Sequence, residues 1–244
     1  MSDWFKEIGS GRELPAGAVR ELHDSGFVVI PGPVASGRLA QLALAYDSAM
    51  SSADPADVSV GSTTTRVHDF VNRGPEFDEL YVFRPILEAC CRVIGQPFKL
   101  SSLLARTVRP YSQAQPLHLD FKADADGWPM VGFIIMMDDF RRDNGATRFM
   151  PGSHKRTAIP SEVMIDPASD HEGQVVACGA AGSVILYNGS VWHGHTANRS
   201  GEHRRSIQGA YVRRDEKPAV DQAVRLLPQT RARIGPLAEY LLAV

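Results

Sequence analysis

Between His118 and Arg204 the sequence supplies imidazoles, a carboxylate and a guanidinium in an order that could hold a divalent metal beside an acidic small molecule. The first pair is His118-Leu119-Asp120. Pro116 sets the chain before it extended, and Leu117, Leu119 and Phe121 alternate with the polar residues. In a strand, residues i and i+2 share a face, so His118 and Asp120 would aim at one point while Leu117 and Leu119 pack behind them. One straight strand cannot also provide a third facial ligand. Trp192-His193-Gly194-His195 offers two candidates. His193 is the natural choice, following the apolar run Gly182 to Tyr187 and the turn Asn188-Gly189. His195 would share its face in an extended segment, and Gly194 lets the backbone bend, so spacing alone leaves both open. Two imidazoles and one carboxylate leave positions free on an octahedral iron(II), enough for a bidentate cosubstrate and dioxygen. A structural zinc site would instead be closed by four ligands, usually with Cys among them.

Arg204 and Ser206 complete the set. The ordinary fate of an arginine on a strand is the surface. Here a guanidinium downstream of three metal ligands could bind a carboxylate through two parallel hydrogen bonds while staying charged at any working pH. Ser206, at i+2 on the same strand face, could add a third. Each motif alone is weak, since a lone His-x-Asp is usually a surface or turn pair. Their order, on segments that read as strands, gives the combination its weight.

Those segments resemble the phytanoyl-CoA dioxygenase (PhyH-like) family of iron(II)/2-oxoglutarate-dependent oxygenases. The matching pieces are Leu117 to Asp120, Asp143 to His154, Gly182 to Tyr187, and Trp192-His193 running on to Asn198, Arg204 and Arg205; they span about residues 98–213. The resemblance implies a mainly β fold with flanking helices, built on a double-stranded β-helix (jelly roll, cupin-like) core. It implies His118, Asp120 and His193 as iron ligands, with iron(II), 2-oxoglutarate and O2 as cofactor and cosubstrates. It places Arg204, eleven positions after His193, on the far carboxylate of 2-oxoglutarate. His195 is then left as a neighbour or substrate contact. Related halogenases carry a small residue where Asp120 stands, so hydroxylation or another oxidative C–H reaction is favoured over halogenation.

The elements that must position these residues can be read around them. Residues 15–25 read as a helix stopped by Gly26, followed by a strand at Phe27 to Ile30. Residues 36–50 and 79–94 read as further helices, with Pro85 able to shift or kink the second. Met50 to Thr65 has few apolar anchors and reads as a mobile loop. Strands are expected at Phe98 to Val108, Trp128 to Met137, Thr147 to Met150, Val175 to Cys178, Ser183 to Tyr187 and Arg204 to Arg213. On the last, Ser206, Gln208 and Ala210 lie on the face of Arg204, and Arg205 points the other way. Residues 155–172 form a polar insertion and 219–243 look helical, divided by Pro228 and Pro236. His154 reads as structural, and His23, His171 and His203 as exposed residues without partners. Many short strands between Gly/Pro turns argue for a sandwich or barrel. No composition break marks a second domain, so one domain is expected: a helical part to about residue 97, a core at about 98–213 and a helical tail at about 219–244.

Gly61 to Phe70 carries Arg66, His68 and Asp69 within four positions. It could be a solvated linker with a helix cap. It could also be a lid over the barrel mouth, with Arg66 or His68 holding a polar group of the substrate.

Composition narrows the partners. The 244 residues are 43% hydrophobic and 22% charged with net charge −2, which gives no reason to expect nucleic acid or an anionic membrane. Three cysteines, two of them the adjacent Cys90 and Cys91, do not make a disulfide framework and fit a reducing, cytoplasmic compartment. No signal peptide or 18-residue apolar run is seen. The expected partner is a small-molecule substrate; oligomeric state is not legible. Two other readings compete: a different cupin-type metalloenzyme, which Arg204 and Ser206 disfavour, and a non-catalytic small-molecule-binding jelly roll, which metal content would separate.

Overall fold

Residues 3–244 are described by the computed structural model. Its strands are β1 (Phe27–Pro31), β2 (Val58–Val60), β3 (Thr64–Val67), β4 (Phe98–Val108), β5 (Met130–Met136), β6 (Thr147–Phe149), β7 (Val175–Val176), β8 (Ser183–Asn188), β9 (His193–His195) and β10 (Arg204–Arg213). They form a seven-stranded sheet in the order β1-β8-β5-β10-β4-β3-β2 and a three-stranded sheet in the order β7-β6-β9. Every named pairing is antiparallel. The sheets face one another: Phe27 of the larger stacks on Phe149 of the smaller with ring centroids 4.2 Å apart. Ile134, Met136, Ile185 and Val191 fill the space around that pair. This is the mainly β, jelly-roll architecture expected, with helices packed outside.

The outer face of the large sheet is covered by helices. Leu22, Leu42, Tyr46, Ile86, Leu87 and Leu241 join Leu103, Ala105, Phe133, Ile207 and Tyr211 in one buried cluster. Period-2 alternation on β4 and β10 explains which side chains turn inward. A bulge decides the parity: the pairing runs Ala210 to Ser102 and then Tyr211 to Leu100, so Ser101 is skipped. Phe98 and Leu100 can then share the helical side with Leu103 and Ala105, while Ser102, Leu104 and Arg106 turn to the interior.

Several expectations change. The helix expected at residues 79–94 is two, Asp78–Tyr81 and Arg84–Val93, with Pro85 in the first turn of the second, where its missing N–H is not needed. The stretch from Met50 to Thr65 is not a mobile loop. After the helix Leu39–Ser51 it builds the hairpin β2–β3, and β3 pairs with β4 at the sheet edge. Backbone pairing anchors it where apolar side chains could not. The His118 segment is not a strand either; it makes a single antiparallel bridge to His193. The tail divides into Gln222–Arg225, Pro228–Arg233 and Pro236–Leu242, each proline opening a helix. A short helix, Trp4–Gly9, was not anticipated.

His23 and His171 do have partners, the Asp24 carboxylate and the Asp166 carbonyl, both at 3.0 Å. His154 is buried and its Nε2 donates to the His23 carbonyl at 3.0 Å, a structural role as expected. Cys90, Cys91 and Cys178 are free. Among the described residues no helix is long and apolar enough to cross a membrane.

Candidate active site

The bridge between His118 and His193 is the geometric origin of the site. Each residue's N–H donates to the other's carbonyl, at 2.9 and 2.8 Å, and the imidazole centroids lie 4.5 Å apart. Asp120 is fixed on the same side because its N–H and that of Phe121 both donate to the Gly189 carbonyl, at 2.9 and 3.0 Å. Ser190 Oγ adds a bond to the Phe121 carbonyl at 2.8 Å. The turn after β8 is thereby stitched to the His118 segment. One ligand atom from each of His118, Asp120 and His193 lies within 4.8 Å of the others. His118 Nε2 is 3.8 Å from Asp120 Oδ1, and His193 Nε2 is 3.6 Å from Asp120 Oδ2.

The hydrogen bonding of both rings suits a metal. His118 Nδ1 lies 3.0 Å from the Pro116 carbonyl and His193 Nδ1 2.9 Å from the Val191 carbonyl. A carbonyl can only accept, so each Nδ1 carries the hydrogen and each Nε2 presents its lone pair to the cluster. Burial, with the neighbouring His193, pushes His118 down to about 4, so its ring is neutral at neutral pH. Two Nε2 atoms and one carboxylate fit a divalent iron and leave its remaining positions open. Tyr187, deeply buried on β8, donates its hydroxyl to Asp120 Oδ2 at 2.9 Å. It fits because residue 132 is glycine: a Cβ there would overlap the Tyr187 ring.

His195 is not in this cluster. It is buried on β9 with Nδ1 2.8 Å from the Thr196 carbonyl and Nε2 2.9 Å from the Thr63 hydroxyl. Its Nε2 therefore accepts from Thr63, and the ring ties β9 to the β2–β3 hairpin. The cluster forms around His193 because the residue at the bridge, and not the one two positions on, faces His118.

Arg204 is 1% exposed and looks into the same cavity. Its Nε donates to the Gly145 carbonyl at 3.1 Å and its Nη1 to Ser206 Oγ at 3.1 Å. The guanidinium lies 4.3 Å from the Phe140 ring centroid. Burial, and then the charge of Arg106, push it down to about 9, so it stays cationic at neutral pH. Among the described residues it forms no ion pair within 4.0 Å, whereas Arg205, next along β10, binds Asp138 and Asp47 on the opposite face. A buried cation without an anion is costly, and the bonds present satisfy only part of the fork. Ser206 Oγ donates to the Arg106 carbonyl at 3.1 Å, so it braces Arg204 rather than offering a free hydrogen.

The cavity holding these groups has a volume of about 330 Å³. Arg66, His68 and His195 also line it, although His68 is engaged with Ser59 Oγ at 3.0 Å. The stretch expected as a lid is a wall, since β3 is hydrogen-bonded into the sheet. Sequence reasoning missed Arg106, Gln115 and Tyr187. Arg106 reaches the cavity only by the parity set at the bulge. Tyr187 ends an apolar run and carries no motif. Gln115 sits three residues before His118, close enough to have been noticed, and accepts from Arg106 Nη2 at 2.7 Å.

The family model described as phytanoyl-CoA dioxygenase (PhyH) matches residues 22–206. Dioxygenase cdmA of Talaromyces verruculosus is 33% identical over 108 residues, 41% of this chain and 35% of that protein. The chain spans only 35–37% of the length of the first curated relatives it matches. Two solved structures share the fold. The non-haem α-ketoglutarate-dependent carbocyclase SnoK from nogalamycin biosynthesis has a TM-score of 0.69 at 18% identity, covering 88% of this chain and 92% of that one. HygX from Streptomyces hygroscopicus, solved with nickel and 2-oxoglutarate bound, has a TM-score of 0.65 at 19% identity, covering 82% and 87%.

Proposed function

The chain belongs to the phytanoyl-CoA dioxygenase family, and from that premise we propose that it is an iron(II)/2-oxoglutarate-dependent oxygenase that hydroxylates a small organic molecule. The observation that carries this reading is the buried, carboxylate-free guanidinium of Arg204 opening onto the same cavity as the cluster of His118, Asp120 and His193. A metal-binding jelly roll of another chemistry has no need of such a group; a dicarboxylate cosubstrate does.

Iron(II) with 2-oxoglutarate would supply dioxygen activation, with release of succinate and CO2 as oxygen enters a substrate C–H bond. The protein's part is to hold and orient. His118 and His193 would offer Nε2, their Nδ1 hydrogens locked on backbone carbonyls. Asp120 would offer a carboxylate oxygen whose position Tyr187 fixes. Arg204 would receive the far carboxylate of 2-oxoglutarate, its guanidinium backed by the Phe140 ring. Arg66, His68 and His195 border the remaining space and are the substrate contacts in this reading. The chain would act as a single domain in the cytoplasm, with a small molecule as its partner.

The test is spectroscopic and chemical. Anaerobic addition of iron(II) and 2-oxoglutarate should give the visible charge-transfer band of the ternary complex, and admission of air should yield succinate. Metal binding without any response to 2-oxoglutarate would leave only a metal-binding jelly roll.

A further inference from the structure

Arg66 and Arg106 face each other across the β3–β4 ladder. Residues directly opposite in an antiparallel pair share a sheet face, and like charges placed so destabilise it. Neither guanidinium has a carboxylate within 4.0 Å among the described residues, and Arg66 makes no side-chain hydrogen bond there. Arg106 donates only to amide oxygens, Gln115 at 2.7 Å and Gln208 at 3.5 Å. Its Nε is buried without a partner. Other arginines of the fold are held by carboxylates, Arg73 by Asp57, Arg213 by Asp124 and Arg233 by Asp78, or by backbone carbonyls, as Arg214 is by those of Phe98 and Tyr240. Arg66 has neither kind of side-chain partner, and Arg106 has only two amide oxygens.

Charge counting points the same way. Arg66, Arg106 and Arg204 all line the cavity, and Asp120 is the one carboxylate among its lining residues. Iron(II) and the 2-oxoglutarate dianion would cancel, Asp120 would offset one guanidinium, and two positive charges would remain. Position separates their roles. Arg204 and Ser206 lie on β10, Arg106 on the neighbouring strand and Arg66 on the strand beyond. At roughly 4.8 Å per strand, the Arg66 backbone lies about 10 Å from that of β10, beyond the cosubstrate's anchoring end.

We propose that the primary substrate carries an anionic oxygen group, a carboxylate or a phosphate ester, and that Arg66 and Arg106 together bind it. The inference rests on the oxygenase reading above and gives that site its substrate class. Arg66 would select the anion at the edge of the cavity. Arg106, held by Gln115, would fix its distance from the iron ligands, because Gln115 is three residues from His118.

The experiment uses matched probes on the full chain. Benzoate against benzamide, and phenyl phosphate against phenol, are titrated into the anaerobic iron(II)/2-oxoglutarate complex, with binding read by calorimetry and by perturbation of the charge-transfer band. In the wild type at least one anion should bind about 30-fold or more tighter than its neutral partner, and which pair responds separates carboxylate from phosphate. Arg66→Gln and Arg106→Gln should bring that ratio to within about 3-fold while iron and 2-oxoglutarate affinities stay within about 3-fold of wild type. Arg66→Lys should keep part of the preference, which excludes a folding defect as the cause. Equal binding of anion and neutral partner, no anion binding at all, or a preference untouched by Arg66→Gln would overturn the proposal. Loss of 2-oxoglutarate binding in Arg106→Gln would assign that residue to the cosubstrate and overturn the pairing. Failure of the wild type to bind 2-oxoglutarate is a separate result, seen before any probe is added, and it counts against the oxygenase reading itself.

Discussion

The Tyr187 hydroxyl donates to Oδ2 of Asp120 at 2.9 Å, joining the end of an apolar core strand to the one carboxylate of the candidate metal cluster. Asp120 stands on a segment with no strand of its own, so its side chain is oriented by this bond and by the two backbone bonds at Gly189. The hydrogen bond also sets which carboxylate oxygen is the better donor, because Oδ2 already carries a hydrogen-bond donor. Tyr187→Phe should therefore leave the fold intact and weaken iron(II) binding by about 10- to 100-fold, the usual cost of losing a group that orients a metal ligand. A metal titration of the variant checks it; wild-type affinity would mean that the backbone alone holds Asp120.

The two C-terminal histidines should separate cleanly. His118→Ala, Asp120→Ala and His193→Ala are each expected to abolish stoichiometric iron(II) binding. His195→Ala should retain iron, because that ring is committed to Thr63 and the Thr196 carbonyl. Iron loss in His195→Ala with retention in His193→Ala would falsify the assignment.

Arg204→Ala should keep iron and weaken 2-oxoglutarate. Removing one partner of a buried charged pair costs roughly 2–5 kcal/mol, or about 30- to several-thousand-fold in affinity. Titration of the charge-transfer band reads it directly. Because Arg204 also bonds the Gly145 carbonyl, a melting curve should accompany the titration; an affinity loss at unchanged melting temperature is the expected pattern.

Arg148 is a structural counterpart. Fully buried on β6, it donates to the carbonyls of Gln115, Pro167 and Ala168 at 3.2, 3.1 and 2.9 Å. It thus ties the insertion around residue 167 to the segment that enters His118. Arg148→Met should destabilise the protein by about 2–4 kcal/mol, since several buried carbonyls lose a charged donor at once. It should also open the insertion to limited proteolysis. Wild-type stability together with unchanged cleavage would remove the role.

Acid should weaken the metal-free protein through its histidines. Burial holds His195 down to about 3 and His118 down to about 4, against an unfolded value near 6.5. Between those values the unfolded chain binds more protons than the folded one, so stability falls as pH drops below about 6.5 and levels off only near 3–4. Melting temperature against pH for the metal-free protein should show this slope, and His195→Gln should flatten part of it. Identical slopes for both proteins between pH 6.5 and 4 would show that His195 takes no part. The same depression keeps Nε2 of His118 free of protons below the pH at which an ordinary histidine is half protonated.

What the sequence determined by itself is local. The alternation at residues 204–213 placed Arg204, Ser206 and Gln208 on one face, as the fold shows, and the apolar run from Trp128 to Met137 marked a strand buried on both sides, which the structure gives as Met130–Met136. His118 and Asp120 could be named because their residue types and spacing suit a metal, with His193 or His195 as the third ligand; the family resemblance, not spacing, pointed to His193. The fold class followed from many short strands with turn residues between them.

Tertiary structure decided everything that depends on which strand lies beside which. The choice of His193 over His195 was left open by spacing. It is made by a backbone bridge between residues 75 positions apart, whose mutual N–H bonds put one histidine, and not the other, opposite His118. Met50 to Thr65 looks like loop because it carries few apolar anchors, yet it contributes β2 and the start of β3 to the sheet edge; the stability of this hairpin comes from backbone pairing of β2 with β3 and of β3 with β4, which no side-chain pattern encodes. No motif in the sequence marks Arg106. A bulge five residues away, at Ser101, reverses the parity of β4 and leaves that guanidinium facing inward, opposite Arg66.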